Sequence, residues 1–198
     1  MAVKVVIFDL DGTITEPFFD FDVIREQMGL ARDAGPVLEL MEKMTPEQRE
    51  SVERILYYHE QQAIEQSRLN PGAEHTLDQL RQRGIGIGVL TRNRRENALA
   101  VADRHGLQFD IVLGRDDGPP KPDAFGVRHI CEHFSTDPSE AVVVGDYLFD
   151  LLCAKAAGAH AILLANQPKY QEFKKHADFV VENIDQIIQI VDNINNHK

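Results

Sequence analysis

Residues 5–13, Val-Val-Ile-Phe-Asp-Leu-Asp-Gly-Thr, constrain this chain more than any other stretch. A short apolar run without polar alternation suits a strand covered on both faces, here Val5 to Phe8. Asp9 and Asp11 follow at a spacing of two, so they project to one side if the backbone stays extended. Two carboxylates so placed repel each other, and a bare pair would be driven to share a proton. The usual relief is a hard divalent cation with oxygen ligands. Gly12 permits a sharp turn with no side chain crowding what binds there. A plain strand end with an Asp-Gly turn has the same letters, and only the remaining sequence separates the two readings.

A length of 198 residues allows one sizeable domain, or one domain with an insertion. Hydrophobic residues at 43% and charged residues at 27% fit a globular chain and argue against disorder. With 21 Lys and Arg against 32 Asp and Glu, the formal charge is −11, which disfavours nucleic acid and anionic membrane as partners. An anionic substrate would need a local positive site against that field, and a metal could supply it. Cys131 and Cys153 have no zinc-type spacing and are expected as buried free thiols in a reducing compartment. The N-terminus lacks a signal-peptide apolar region, and no apolar stretch is long enough to span a bilayer. The expectation is a soluble cytoplasmic protein.

Between about Asp20 and Leu69 the pattern is helical only. Helices are expected over Phe21–Leu30 and Pro36–Met44, and a third begins at Thr45-Pro46-Glu47-Gln48 with the signature of a capping box and a proline in its first turn. Val52, Ile55, Leu56, His59 and Ala63 would line its apolar face, with His59 and the Tyr57-Tyr58 pair read as packing residues. Asn70-Pro71-Gly72 ends the block. From Gly72 helices and strands alternate. Helices are expected over Ala73–Arg83, Arg95–His105, Asp123–Phe134, Leu148–Ala157 and Ile184–Ile194. Strands are expected over Ile85–Leu90, Asp110–Leu113, Ala141–Val144, His160–Leu164 and Asp178–Val181. The fold class is therefore α/β: a Rossmann-like, mostly parallel sheet flanked by helices, with a small all-helical block inserted after the first strand. The boundaries follow as a core of residues 1–15 and 71–198 and an insert of residues 16–70.

Ligands of such a sheet bind beyond the carboxyl ends of its strands. Asp9 and Asp11 follow the first strand, Thr91 the second and Asp146 the fourth, and Lys121 lies in the loop after the third. That convergence lifts the Asp-Gly turn above an ordinary strand end. Asp9, Asp11 and Asp146 offer oxygen ligands suited to Mg²⁺, and Asp150, one helical turn on, could hold a metal-bound water or a lysine. Lys121 and the Thr91 hydroxyl suit phosphoryl oxygens. A carboxylate held against a metal-bound phosphoryl group can attack it, through an aspartyl-phosphate.

Asp-Leu-Asp-Gly-Thr, Leu-Thr-Arg-Asn, Pro-Pro-Lys-Pro-Asp and Gly-Asp-Tyr-Leu-Phe-Asp resemble, in order, the four motifs of the haloacid dehalogenase superfamily. The resemblance is nearest to the phosphoglycolate phosphatase-like branch and extends over almost the whole chain. It implies that residues 16–70 form a helical cap domain. It implies that Asp9 is the nucleophile and Asp11 the general acid/base, the latter being the aspartate that distinguishes phosphatases and phosphomutases from true dehalogenases. Thr91 and Lys121 would bind the phosphoryl group. Asp9, the backbone carbonyl of Asp11, and Asp146 would bind Mg²⁺, with Asp150 behind them. Arg92 stands between Thr91 and Asn93, where Asn more often follows directly. Both are counted with the phosphate-binding residues, Arg92 as an added cation or else a solvated side chain. Tyr147 replaces a small residue and could narrow the pocket, and Glu16-Pro17 replaces a common Asp-Ser pair.

The implied activity is Mg²⁺-dependent hydrolysis of a small phosphomonoester. One alternative is a phosphomutase of the β-phosphoglucomutase kind, for which Arg25, Arg32 and Arg49 could serve a second phosphate. Another is a non-catalytic binding module, against which every catalytic position is intact.

Overall fold

The computed structural model describes residues 2–196. Six strands, β1 (Val5–Phe8), β2 (Gly86–Leu90), β3 (Ile111–Leu113), β4 (Ala141–Gly145), β5 (His160–Leu164) and β6 (Phe179–Val181), form one sheet in the order β3-β2-β1-β4-β5-β6. Among the described residues every strand pairing is parallel, so the expectation of a mostly parallel sheet is met. Backbone contacts divide the chain into two compact units, one running to Pro17 and resuming at Arg68, the other Phe18–Ser67.

In the first unit the sheet is flanked by helices α4 (Ala73–Gln82), α5 (Arg95–His105), α6 (Phe125–His133), α7 (Leu148–Ala157) and α9 (Gln186–Asn196), with a one-turn helix α8 (Tyr170–Phe173) that periodicity did not suggest. β1 and β4 are buried along their whole length, as their Val- and Ile-rich runs require of central parallel strands. Val5 and Ile7 share a core with Val127 and Ile130 of α6 and Leu151 and Ala154 of α7. The alternating residues Val6 and Phe8, also without exposure, face the other side. Each such large side chain contributes roughly 1.5–3 kcal/mol when fully buried.

The chain reverses its direction of travel across the sheet between β1 and β4, the place where open parallel sheets bind ligands. Phe8 pairs with Val144 and with Val89, and the Asp9 N–H donates to the Val144 carbonyl at 2.8 Å. The register therefore brings the ends of β1, β2 and β4 level, and Asp9, Thr91 and Asp146 with them.

The second unit contains α1 (Phe21–Gln27), α2 (Val37–Met41) and α3 (Pro46–Gln66). Its first two helices are shorter than their sequence pattern suggests: α1 is capped at Met28, and Pro36 stands before α2 rather than in it. The expected capping box of α3 forms, with Thr45 Oγ1 accepting from the Gln48 N–H at 3.3 Å and Gln48 Oε1 from the Thr45 N–H at 3.0 Å. Val52 and Leu56 of α3 pack with Ile24, Val37 and Met41 in a separate small core. The buried face of α3 is Val52, Leu56, Glu60 and Ala63. His59 is half-buried and bonds Gln27 at 2.7 Å. Tyr57 and Tyr58, read as packing residues, are 48% and 59% exposed, because one and two residues beyond Leu56 lie about 100° and 200° around the helix.

The domain joins lie two and three residues inside the expected insert of 16–70. The reason is local. Thr15 bridges Leu69 antiparallel, and the Glu16 N–H donates to the Arg68 carbonyl at 2.8 Å, so both linker ends belong to the sheet-bearing unit.

The loop after β3 is packed tightly on the start of α5. A Cβ on Gly114 would sit 2.2 Å from the Arg95 backbone nitrogen, an N–H that the Asp116 carboxylate already accepts from at 2.9 Å. Backbone cannot move aside as a side-chain tip can. Gly114→Ala is therefore expected to destabilise the protein by about 1–3 kcal/mol in urea unfolding, and an unchanged midpoint would refute this packing.

Candidate active site

At the carboxyl ends of β1 and β4 lies a buried group of charges. Asp9, Asp146 and Asp150 each offer an oxygen, and the three oxygens lie within 4.8 Å of one another. Lys121, only 3% exposed, donates from Nζ to Asp9 Oδ1 and to Asp150 Oδ1, each at 2.6 Å. The other Asp150 oxygen accepts from the Tyr147 N–H at 3.0 Å, so Asp150 locks both the lysine and the first turn of α7. Asp146 Oδ2 accepts from the Gln167 amide at 2.8 Å. Gly12 has a φ of +92°, and a Cβ there would stand 2.5 Å from Asp146 Oδ2, so only glycine lets the loop after β1 lie against Asp146.

Thr91 is buried at the end of β2, its N–H donating to the Leu113 carbonyl at 3.0 Å. Its hydroxyl oxygen accepts from the Asn93 N–H at 3.0 Å. Asn93 is buried too, and its amide donates to Asp11 Oδ2 at 3.4 Å rather than pointing away from the carboxylates. Arg92 donates to the Lys121 backbone carbonyl and lies over the Phe149 ring, with Cζ 4.4 Å from the centroid. Arg92 thus clamps the loop that carries Lys121. The eight sequence-selected residues, Asp9, Asp11, Thr91, Arg92, Asn93, Lys121, Asp146 and Asp150, converge on these strand ends.

Three further residues support the site and have no periodic signature in the sequence. Asn70 Nδ2 donates to the carbonyls of Thr13 at 2.7 Å, Thr15 at 3.0 Å and Gly12 at 3.3 Å, bracing the turn beyond Asp11. Asn166 donates to the Gly12 carbonyl at 2.5 Å, and Gln167 to Asp146. Asn166 and Gln167 follow the carboxyl end of β5, so the rule that located the other loops would have flagged this one.

The electrostatics are those of a site short of positive charge. Burial raises the Asp9 carboxyl to about 7, with Lys121 opposing and Asp150 and Asp11 adding to the rise. Burial likewise pushes Asp146 well above the usual carboxylate range, and the nearby Asp9 and Asp150 push it further. Burial works to lower the Lys121 ammonium, but Asp150 and Asp9 outweigh it and hold the lysine protonated. One cation thus faces a group of buried carboxylates that an oxygen-coordinated divalent ion would neutralise, and the all-oxygen donor set suits a hard metal. The two thiols are buried, unpaired as disulfides and pushed up by that burial, Cys131 to about 11 and Cys153 to about 12, so neither is a nucleophile here.

A carboxyl that titrates near 3.8 unfolded and about 7 folded binds more protons in the folded state between those values. Stability of the metal-free protein must then decrease as pH rises through that window. Asp9→Asn removes this titration. In chelator, the melting temperature of the unsubstituted protein is expected to fall relative to Asp9→Asn by several degrees between about pH 4 and pH 7. A constant difference would show that Asp9 ionises as an ordinary carboxylate.

Among the described residues, no helix is long and apolar enough to cross a membrane. The family model for haloacid dehalogenase-like hydrolases matches residues 3–158. A haloacid dehalogenase-like hydrolase domain-containing protein of Arabidopsis thaliana is 29% identical, over 94% of this chain and 83% of its own length. The phosphoglycolate phosphatase of Vibrio cholerae is 26% identical over 96% of this chain and 97% of its own. A hydrolase from Pseudomonas syringae has the same fold, with a TM-score of 0.81 at 20% identity, covering 98% of this chain and all of that one. With six parallel strands, carboxylates at the sheet's switch point and this match over most of its length, the chain belongs to the haloacid dehalogenase-like hydrolases.

Proposed function

We propose that this hydrolase is a Mg²⁺-dependent phosphatase that cleaves a small phosphomonoester by way of an aspartyl-phosphate on Asp9. The observation that carries this reading is the Lys121 ammonium, 2.6 Å from both Asp9 and Asp150 inside a cluster of buried carboxylates. Such an arrangement holds a carboxylate nucleophile in one position and neutralises charge on an incoming phosphoryl group. The phosphoglycolate phosphatases among the relatives support it.

In this mechanism an Asp9 oxygen attacks phosphorus, and the bond from phosphorus to the leaving oxygen breaks. Asp11 gives that oxygen its proton, releasing an alcohol. Asp11 then takes a proton from a water, whose oxygen attacks phosphorus and releases inorganic phosphate and free Asp9. Thr91 and Lys121 hold the phosphoryl oxygens throughout. Asp9, the Asp11 carbonyl and Asp146 would hold Mg²⁺, which supplies charge neutralisation and orientation of the phosphoryl group. Asp150 acts on Lys121, and Arg92 steadies the Lys121 loop from its backbone side. We assign the Asn93 side chain to Asp11 rather than to phosphate. The helical unit of residues 18–67 takes the role of the cap, where the choice of substrate resides.

Phosphate release should appear with Mg²⁺ and vanish in chelator across a panel containing 2-phosphoglycolate, hexose phosphates and nucleotides. Asp9→Asn should abolish it in protein that melts normally. Asp146→Asn should raise the Mg²⁺ concentration needed both for activity and for a Mg²⁺-induced rise in melting temperature. Substantial turnover by Asp9→Asn would remove the nucleophile assignment. A folded, metal-loaded protein that releases phosphate from none of the panel would overturn the phosphatase reading.

A further inference from the structure

The loop after β5 reaches the carboxylate cluster with two amides that have no part in the reaction proposed above. Gln167 Nε2 donates to the Asp146 backbone carbonyl and, at 2.8 Å, to Asp146 Oδ2. A backbone carbonyl only accepts, so the NH₂ end of this amide is the one turned to Asp146. Its two hydrogens serve the two acceptors and tie the Asp146 side chain to its own backbone. The same Oδ2 is the atom nearest to where a Cβ on Gly12 would stand, 2.5 Å away. Asn166 Nδ2 holds that glycine through its carbonyl at 2.5 Å. Asn166 Oδ1, the other end of that amide, is buried and has no donor among the described residues. A water of a hydrated ion would supply one, and Mg²⁺ usually keeps several of its waters.

We infer that Gln167 is a positioning residue that restricts Asp146 to one-oxygen coordination and so favours Mg²⁺ over Ca²⁺. The inference rests on the Mg²⁺ placement in the phosphatase reading. A carboxylate can meet a cation with one oxygen or with both. With Oδ2 bonded by Gln167 and walled by Gly12, Asp146 offers one. Mg²⁺ demands near-octahedral geometry at about 2.0–2.1 Å and takes few carboxylates, so a ligand fixed in one pose suits it. Ca²⁺ is larger, accepts about six to eight oxygens in looser geometry and readily takes a carboxylate through both. Gln167 thus acts on the choice of ion through Asp146, without touching the ion itself.

This role has a signature that a packing role lacks. Gln167→Met is the informative variant, since it keeps an unbranched side chain of similar length and removes the donor. Gln167→Leu serves as a second variant should the first fold poorly, and melting curves in chelator establish that each is folded. Mg²⁺ and Ca²⁺ would be titrated separately into the full chain at constant pH and ionic strength. Each Kd would be read by calorimetry and from the cation-induced rise in melting temperature. The expected result is a loss of Mg²⁺ affinity of about 10-fold or more, the range found when a support of a metal ligand is removed. Ca²⁺ affinity should hold or improve, so the preference for Mg²⁺ shrinks. A role in folding alone would lower the melting temperature in chelator and leave that preference where it was. Equal losses for the two ions, or unchanged affinities, in folded variants would overturn the inference and leave the phosphatase reading intact. Asp146→Asn is the control. If it binds Mg²⁺ as the unsubstituted protein does, or if the unsubstituted protein binds neither ion, the metal placement fails, and this inference with it.

Discussion

The site depends on one buried ammonium. Lys121 lies between Asp9 and Asp150 with almost no exposure, and its charge is what allows the carboxylate at the end of β1 to be taken out of water. Removing Lys121 would leave Asp9 and Asp150 buried without that cation, at a cost of roughly 3–5 kcal/mol. Even so the balance stays negative, as the raised Asp9 and Asp146 carboxyls show. Stability is given up locally to create a place where further positive charge is wanted, the pattern expected where a fold serves chemistry.

The sheet makes that arrangement possible. Parallel register puts the ends of β1, β2 and β4 side by side, and four loops then deliver a carboxylate, a hydroxyl, a lysine and a second carboxylate within reach of one another. The rigid strands set the positions, and the loops supply only the last few ångströms. Arg92 illustrates the division of labour, stacking on Phe149 of α7 while its guanidinium holds the backbone beneath Lys121. The Tyr147 ring, 4.9 Å from Phe173 and 5.3 Å from Phe149, continues that wall at the α7 N-terminus.

Much of this was legible in the sequence, because buried strands and paired carboxylates have strong local patterns. The run Val5–Phe8, the position of every carboxylate at a strand end, the α3 capping box and the helical nature of the block inserted after β1 all follow from spacing and residue type. What escaped was decided by side-chain amides and by angular detail. Asn70, Asn166 and Gln167 look like any polar loop residues until their partners are known. Asn93 drew attention through its place beside Thr91, yet the direction of its amide depends on Arg94 and Asn97, and spacing carries no such information. Glu60 replaced His59 on the buried face of α3 through a rotation of one residue, a difference smaller than helical periodicity can resolve.

The bridge between Thr15 and Leu69 has a consequence for how such a chain can change over time. The helical unit leaves the sheet-bearing unit and returns to it through one pair of adjacent, antiparallel strands of backbone, already fastened by Asn70. Because its two ends meet, the segment between them can grow, shrink or be exchanged at little cost in loop-closure entropy, which rises only with the logarithm of length. The doorway thereby gives the insert a single point of attachment, so a change of its length leaves the two linker ends where the Thr15–Leu69 bridge sets them.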